Sequence, residues 1–314
     1  MANRLFLISV FLINIQFICS GILNGQEKIS GHEAKQEGEE DTPSTCANLE
    51  PRELRKLIRS RKFCKSTNGC ASGFVQCNLI VLKKEDAEEF KLFCENNQKS
   101  CPLLEVCEEG SPFPKKLASD ADLRSDLPKY SIYLDGNKVT DIEDVTDYWP
   151  EDSVAFLIGC SFSYDAALQA AGINLRSAEQ GTNVPMYISN IPCHQVGKFK
   201  GNMVVSMKPI KVKDVPLERS ITSQYQFAHG QPVHIGEPSL IGIEDINTLD
   251  WGETVEILAD EVPVFHACGV TPQLILMEAK IPFAITHSPG HMFITDTLCI
   301  SLISNNIANS VSGK

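Results

Sequence analysis

A chain of 314 residues, 43% hydrophobic and 22% charged, has room for one large domain or two small ones and is too apolar for a disordered or fibrous protein. Its formal net charge of −12 argues against a nucleic-acid partner, and an anionic ligand would need a locally basic site.

Residues 1–21 read as a secretory signal. MANR is followed by the apolar LFLISVFLINIQFI (5–18) and then Cys19-Ser20-Gly21, a basic n-region, an h-region and small residues in the expected order. The apolar stretch is short for a membrane span, and no later segment reads as one. Secretion is the expectation, with mitochondrial import the alternative. Residues 22–48 are polar and acidic and read as a flexible leader. The main domain is placed at 49–300 and a tail at 301–314. Seven of the chain's 12 cysteines crowd into residues 46–107, which in an oxidising compartment reads as disulfide bonding, and no CxxC pair occurs.

Within the domain, 51–63 is predicted to be a helix, with Pro51 in its first turn and Leu54, Leu57 and Ile58 on one face. A strand is expected at 74–82, a helix at 83–97, and strands at 101–110 and 130–142, the last turning at Asp135-Gly136. VAFLIGC (154–160) is a continuous apolar run of the kind found in buried parallel strands. A helix follows at 165–172, with Gly172 as its cap. Further strands are expected at 202–210, 254–259 and 262–269, then a helix at 271–279, and strands at 282–288 and 291–297 around a Pro-Gly turn. Strand-helix alternation of this kind argues an α/β fold with a parallel or mixed sheet. Lys198, Lys200, Lys208, Lys211, Lys213 and Arg219 make 194–219 locally basic, and read mainly as solvated lysines on strand edges.

Five turn-rich motifs carry the candidate chemistry: GCSFSYDAAL (159–168), NVPMYISNIPCHQVG (183–197), AHGQPVHIGEP (228–238), VPVFHACGVTPQ (262–273) and THSPGHMFITD (286–296). Each sets Cys, His, Ser, Thr or Asn beside Gly or Pro at the edge of an apolar run, where scaffolded loops place binding groups. Cys160, Ser161 and Ser163 begin a helix, whose N-terminal N–H groups favour carboxylate or phosphate; a core thiol with capping serines is the alternative. Cys268 and Thr271 mark a second such junction. Asn183, Tyr187 and Asn190 can orient an amine or carboxylate, or only satisfy their own turn. His229 and His234 fit an acid–base pair or metal ligands. His287 and His291 are four apart, but Pro289-Gly290 between them excludes the helical HExxH arrangement. Asp296 is read as a partner for a histidine or as a surface cap.

Eight segments in order, GFVQCNLIVL, FKLFCENNQKSCPLLEV, ADLRSDLPKY, VAFLIGCSFSYDAAL, NVPMYISNIPC, HGQPVHIGEP, VPVFHACGVTPQ and PGHMFITD, resemble the D-glutamate cyclase family, over about residues 50–298. The resemblance implies a three-layer αβα sandwich with a mixed sheet and a smaller inserted α+β subdomain. It also implies conversion of D-glutamate to 5-oxo-D-proline and water, a hydro-lyase reaction. Two positions depart from the family pattern: His266 stands where a Trp is usual, and Asn68-Gly69-Cys70 replaces a Thr-Ala-type turn. Cys46, Cys64, Cys70, Cys77, Cys107 and Cys299 look additional to the family, enough for three disulfides. The longer animal mitochondrial members carry a second, C-terminal domain, which the resemblance leads one to expect is missing from this chain.

For that reaction His229 or His234 is the expected base and His287 or His291 the expected acid. Cys160, Ser161, Ser163, Cys268 and Thr271 would hold a carboxylate. Asn183, Tyr187 and Asn190 would position amine and oxyanion, and Arg124 or Arg176 would clamp the α-carboxylate, a group that suits a guanidinium fork. No cofactor is expected, with a divalent metal left open. The partner is a small molecule, D-glutamate, with neither nucleic acid nor membrane. The alternatives are a hydro-lyase for another small amino or hydroxy acid, and a secreted amino-acid-binding protein without turnover.

Overall fold

A strand that is apolar at nearly every position has to be covered on both faces, and β1 (Phe74–Lys83) shows this: every residue from Val75 to Leu82 is buried. The computed structural model describes residues 46–303, which fall in one unit spanning 41–314. The expected signal segment (1–21), the leader up to residue 45 and residues 304–314 lie outside the described residues.

β1 lies inside a seven-stranded sheet A, in the order β2-β5-β1-β10-β3-β4, with β11 also on β1. These strands are β2 (Leu103–Val106), β3 (Tyr130–Leu134), β4 (Asn137–Ile142), β5 (Ser153–Gly159), β10 (Phe283–His287) and β11 (Phe293–Leu298). β10 and β11 follow one another along the same strand, pairing with Ile80–Leu82 and Phe74–Cys77 respectively. Sheet B is inserted between β5 and β10. It has four strands in the order β6-β7-β9-β8: β6 (Met186–Pro192), β7 (Asn202–Lys211), β8 (His234–Ile235) and β9 (Glu261–Ala267).

The α/β class stands, but every strand pairing described is antiparallel, so the expected parallel or mixed sheet is corrected. The apolar run 154–160 reported burial on both faces, and burial does not fix strand direction. β5 runs antiparallel to both β1 and β2.

Six helices cover the sheets among the described residues: α1 (Pro51–Arg59), α2 (Lys84–Asn96), α3 (Phe162–Ala170), α4 (Arg176–Gln180), α5 (Val215–Thr222) and α6 (Thr271–Glu278). On one face of sheet A, Phe90 and Phe93 of α2 and Ile275 and Leu276 of α6 pack on Ile80, Leu82, Phe156 and Ile158. On the other, Tyr164 and Leu168 of α3 pack with Leu79, Val81, Leu157 and the sheet B residues Ile210 and Val264. Each fully buried side chain of this size contributes about 1.5–3 kcal/mol.

The Asp135-Gly136 hairpin forms as expected, both residues having positive φ. Gly172 follows α3 in the left-handed region. The strand expected at 254–259 is absent, that segment being irregular. α4, α5 and β6 were not anticipated, because their Pro- and Ser-rich text reads as turns. Asp296 pairs with Arg55 rather than a histidine, at 2.9 Å.

The expectation of three disulfides is also corrected. Cys46–Cys70 is the one bond among the described residues, while Cys64, Cys77, Cys107 and Cys299 are free thiols. Cys77, Cys107 and Cys299 sit in the core on one face of sheet A, where cysteine behaves as a small apolar residue. No helix among the described residues is long and apolar enough to cross a membrane.

Candidate active site

Two chain reversals place two thiols in one cluster. Cys160 lies between β5 and α3, and Cys268 lies between β9 and α6. Both belong to an apolar group with Phe162, Val184, Val270 and Met292. Asn78 of β1 joins the two turns. Its Nδ2 donates to the carbonyls of Gly159 (2.8 Å) and Ile158 (3.2 Å), and a Cβ on Gly269 would overlap the same carboxamide. Gly159 is equally constrained, since a Cβ there would strike the carbonyl of Phe227. Four of the five motifs thus meet directly: 159–168, 228–238 through Ala228, 262–273 through Cys268, and 286–296 through Met292. The fifth arrives through Val184, and Asn183 packs its side chain against Gly290.

Behind the thiols runs a buried polar stripe on one face of sheet B. Ser206 opposes His266 in register, and Lys208 follows two residues along the same strand. Lys208 forms an ion pair with Asp165 of α3, both nearly sealed from solvent at 3% and 5% side-chain exposure. Its ammonium also lies 4.7 Å from the centre of the Tyr164 ring, a cation–π contact. His266 Nε2 lies 2.7 Å from Glu218 Oε1 of α5, and its Nδ1 lies 3.3 Å from the Gly230 carbonyl. Both ring nitrogens therefore face acceptors. Four buried atoms of this stripe have no hydrogen-bond partner among the described residues: Tyr164 Oη, Ser206 Oγ, Glu218 Oε2 and His229 Nε2. Leaving buried polar atoms unpaired is costly, so their concentration in one place marks a site that uses them.

His229 is the most constrained of these groups. It is 1% exposed and has φ of 75°, a left-handed conformation uncommon outside glycine and a recurrent feature of functional positions. Its Nδ1 is 3.0 Å from the Lys99 carbonyl. A carbonyl only accepts, so the hydrogen is on Nδ1 and the lone pair on Nε2. Burial lowers its pKa from 6.5 to about 4, so the ring is neutral at physiological pH. Lys99 is half-buried, and desolvation brings its pKa down to about 8.

The other expected residues are distributed as follows. His291 shares the tautomer of His229, with Nδ1 3.1 Å from the Pro289 carbonyl, and burial lowers its pKa. His287 is buried among Leu79 and Gln273, its pKa lowered by desolvation to about 4. His234 lies on the opposite face of sheet B from His266, its ring tilted against Phe265 and its Nε2 2.7 Å from the Glu237 carbonyl. Ser163 Oγ accepts from Gln76 N at 3.0 Å, while Ser161 precedes α3 without capping it. Thr271 Oγ1 accepts from Val204 N and donates to the Cys268 carbonyl. Tyr187 donates to the Ile246 carbonyl on the far face of sheet B, and Asn190 is exposed beside Gly242. Arg124 forks onto Asp122 and Arg176 onto Glu261, so neither guanidinium is turned toward the thiols.

Asp165, Glu218 and Tyr164 were not singled out from sequence, and Lys208 was read mainly as one of the solvated lysines of 194–219. Asp165 and Tyr164 stand inside the first motif, and Lys208 alternates with Val204 and Ser206 along β7. That two-residue rhythm was the available signal. Among the described residues, no group of three or more His, Cys, Asp or Glu side chains is arranged to hold a metal ion.

The profile of the D-glutamate cyclase family matches residues 154–296. Over longer spans the chain is similar to bacterial proteins that bear the name "Putative hydro-lyase". The one from Geobacillus kaustophilus is 51% identical over 250 residues, 80% of this chain and 95% of the relative. The one from Bacillus subtilis is 50% identical, over 79% of this chain and 96% of the relative. The one from Aliivibrio fischeri is 47% identical, over 79% and 93%. A solved nitrogen repressor-like protein from Methanococcus jannaschii aligns with a TM-score of 0.34 at 12% identity, over 78% of this chain and 97% of that chain, too distant a likeness to describe the fold. With such identity across nearly the whole of its relatives, the chain belongs to the D-glutamate cyclase family, whose members here carry a hydro-lyase name.

Proposed function

We propose that the protein is a D-glutamate cyclase, closing D-glutamate to 5-oxo-D-proline with release of water and without a nucleoside triphosphate. One observation carries the reading: two helix N-termini, those of α3 and α6, are brought together on Asn78. A helix N-terminus favours an anion, and a pair of them suits a substrate with two carboxylates. Lys208 lies within electrostatic reach of both Cys160 and Cys268, its charge balanced by Asp165.

The proton balance of the reaction is simple. The ammonium loses two protons as its nitrogen bonds to the γ-carboxyl carbon, and both leave in the water formed from a carboxyl oxygen. A relay is needed rather than a net proton source. His229 and His291, both neutral with the lone pair on Nε2, each take one ammonium proton and, as imidazoliums, pass it to the departing oxygen. Holding amine and carboxyl in line supplies much of the rate, since effective molarities of aligned groups reach roughly 10⁵–10⁸ M. The carboxylate-binding role does not fall to Arg124 or Arg176, whose guanidiniums have carboxylates of their own. The apolar N-terminal segment and the Cys46–Cys70 bond fit an exported enzyme.

The test incubates purified protein with D- and with L-glutamate, without ATP, with and without chelator, and follows 5-oxoproline by chiral mass spectrometry. Product from the D-isomer supports the reading. A folded sample that forms none from either isomer overturns it, in favour of another small acid or of binding without turnover.

A further inference from the structure

His229 and Gly230 are successive residues in the left-handed region, with φ of 75° and 63°. Such a conformation persists only where its surroundings over-determine it, and this turn is anchored from three sides. Within the turn, the N–H groups of Ala228 and Gly230 both donate to the Tyr225 carbonyl, at 2.8 and 2.9 Å. From the segment before β2, the Lys99 carbonyl accepts from His229 Nδ1 at 3.0 Å, and the Lys99 ammonium donates to the Gln231 carbonyl. From sheet B, His266 Nδ1 lies 3.3 Å from the Gly230 carbonyl. A carbonyl only accepts, so His266 carries a hydrogen on Nδ1. Its Nε2 lies 2.7 Å from Glu218 Oε1 of α5, which places a second hydrogen between those two atoms. Both residues are sealed from solvent, and the Tyr164 ring of α3 covers His266 at 5.4 Å. Glu218 is also within electrostatic reach of the Lys99 ammonium, and His266 within reach of His229.

We propose that Glu218 and His266 are a positioning pair for His229. Glu218 fixes a hydrogen on His266 Nδ1 by occupying Nε2, His266 holds the Gly230 carbonyl, and the turn so held keeps the His229 hydrogen on Nδ1 and its lone pair on Nε2. Neither residue touches the reacting atoms. A pair that served stability alone would leave the His229 ring unmoved when it is broken. This inference rests on the reading of His229 as the base, and not on which small acid is bound.

The experiment labels histidine with ¹⁵N in wild type, E218A, E218Q and H266F, with H229Q to assign the signal. Ring tautomers are read by NMR beside the melting temperature and kcat and KM for lactam formation from D-glutamate. In wild type both His229 and His266 are expected to carry hydrogen on Nδ1, with His229 Nε2 bare. E218A and H266F are expected to admit the other His229 tautomer and to lower kcat roughly 10- to 100-fold, as misplacement of a catalytic group does, with KM changed only a few-fold. E218Q is expected to recover most of that loss, since its carboxamide donates to His266 Nε2 and leaves Nδ1–H on Gly230. The wild-type and E218Q spectra carry the test even where the harsher variants fail to fold. Wild-type His229 with its hydrogen on Nε2 would overturn the proposal. So would a His229 tautomer unchanged in both E218A and H266F, or in an E218Q chain whose His266 hydrogen has moved to Nε2. A wild type that forms no lactam while its His229 tautomer still follows His266 would overturn the cyclase reading and leave this one standing.

Discussion

Lys208 on β7 and Asp165 on α3 bond to one another where neither has access to water. Taking two charges out of solvent is costly, and their attraction offsets that cost only while both are present. K208M or D165N alone is therefore expected to destabilise the fold by about 3–5 kcal/mol in urea titrations. K208M/D165M, apolar on both sides, should regain most of that stability and none of the activity. A double variant as active as wild type would remove Lys208 from the site.

H229Q keeps the volume of the ring and removes the base. A positioned general base contributes roughly 10²–10⁴-fold, so kcat should fall at least ~100-fold with KM changed only a few-fold. In wild type, kcat/KM should decline on the acid side with a midpoint near the His229 pKa of about 4. An unaltered rate in H229Q excludes His229 as the base.

His229 and His287 also make stability depend on pH. Each has its pKa lowered by burial from 6.5 to about 4. The unfolded chain therefore takes up their protons first. Their contribution is complete above about pH 6.5 and is lost as pH falls through about 4, amounting to about 3 kcal/mol for each ring. Asp120, held low by Arg52, and Glu261, held low by Arg176, act only at more acid pH. Urea midpoints between pH 7 and pH 4.5 should fall steeply in wild type and less so in H287N.

Gly159 and Gly269 have negative-φ backbones that any residue adopts, but no space for a Cβ. G269A must push away the Asn78 carboxamide, and G159A must move the Phe227 backbone. Each is expected to cost about 1–3 kcal/mol and to abolish most turnover. Gly172 is the contrast: it has φ of 82° and open space around it, so G172A should cost only about 1 kcal/mol and leave activity intact. Thermal melts and initial rates of the three variants check this.

The Cys46–Cys70 bond closes a loop with a sequence separation of 24, worth about 3 kcal/mol by chain entropy. It fastens the start of the described chain beside α1 and Ile294. C46S/C70S should lose about that much stability while its kcat stays near wild type, because neither sulfur belongs to the catalytic cluster.

The elements most legible in the sequence were those with a strong local pattern. β1, α2, the Asp135-Gly136 hairpin and α6 lie close to where periodicity and turn chemistry put them. The five motifs converge because each sits at or beside a strand end where the two sheets meet. Strand direction was not legible, because β5 is as apolar as a parallel strand would be. The partners of Arg124 and Arg176 lie two and 85 residues away, and the second distance is invisible to any local reading. Lys208 was read as solvated because lysine usually is. Its burial depends on Asp165, 43 residues earlier. His266 was noted only as a departure from the family pattern, and its partner Glu218 lies 48 residues away.

Sheet B carries two messages in alternate letters. Along β7, Met203, Val205 and Met207 face an apolar layer with Phe265 and Tyr187, whereas Val204, Ser206 and Lys208 face the thiols and the buried charges. The first set answers only to volume and the second to chemistry. Substitutions along this strand should therefore be tolerated and rejected in strict alternation, so that a saturation scan of residues 203–208 would read out, position by position, which side of the strand does the work.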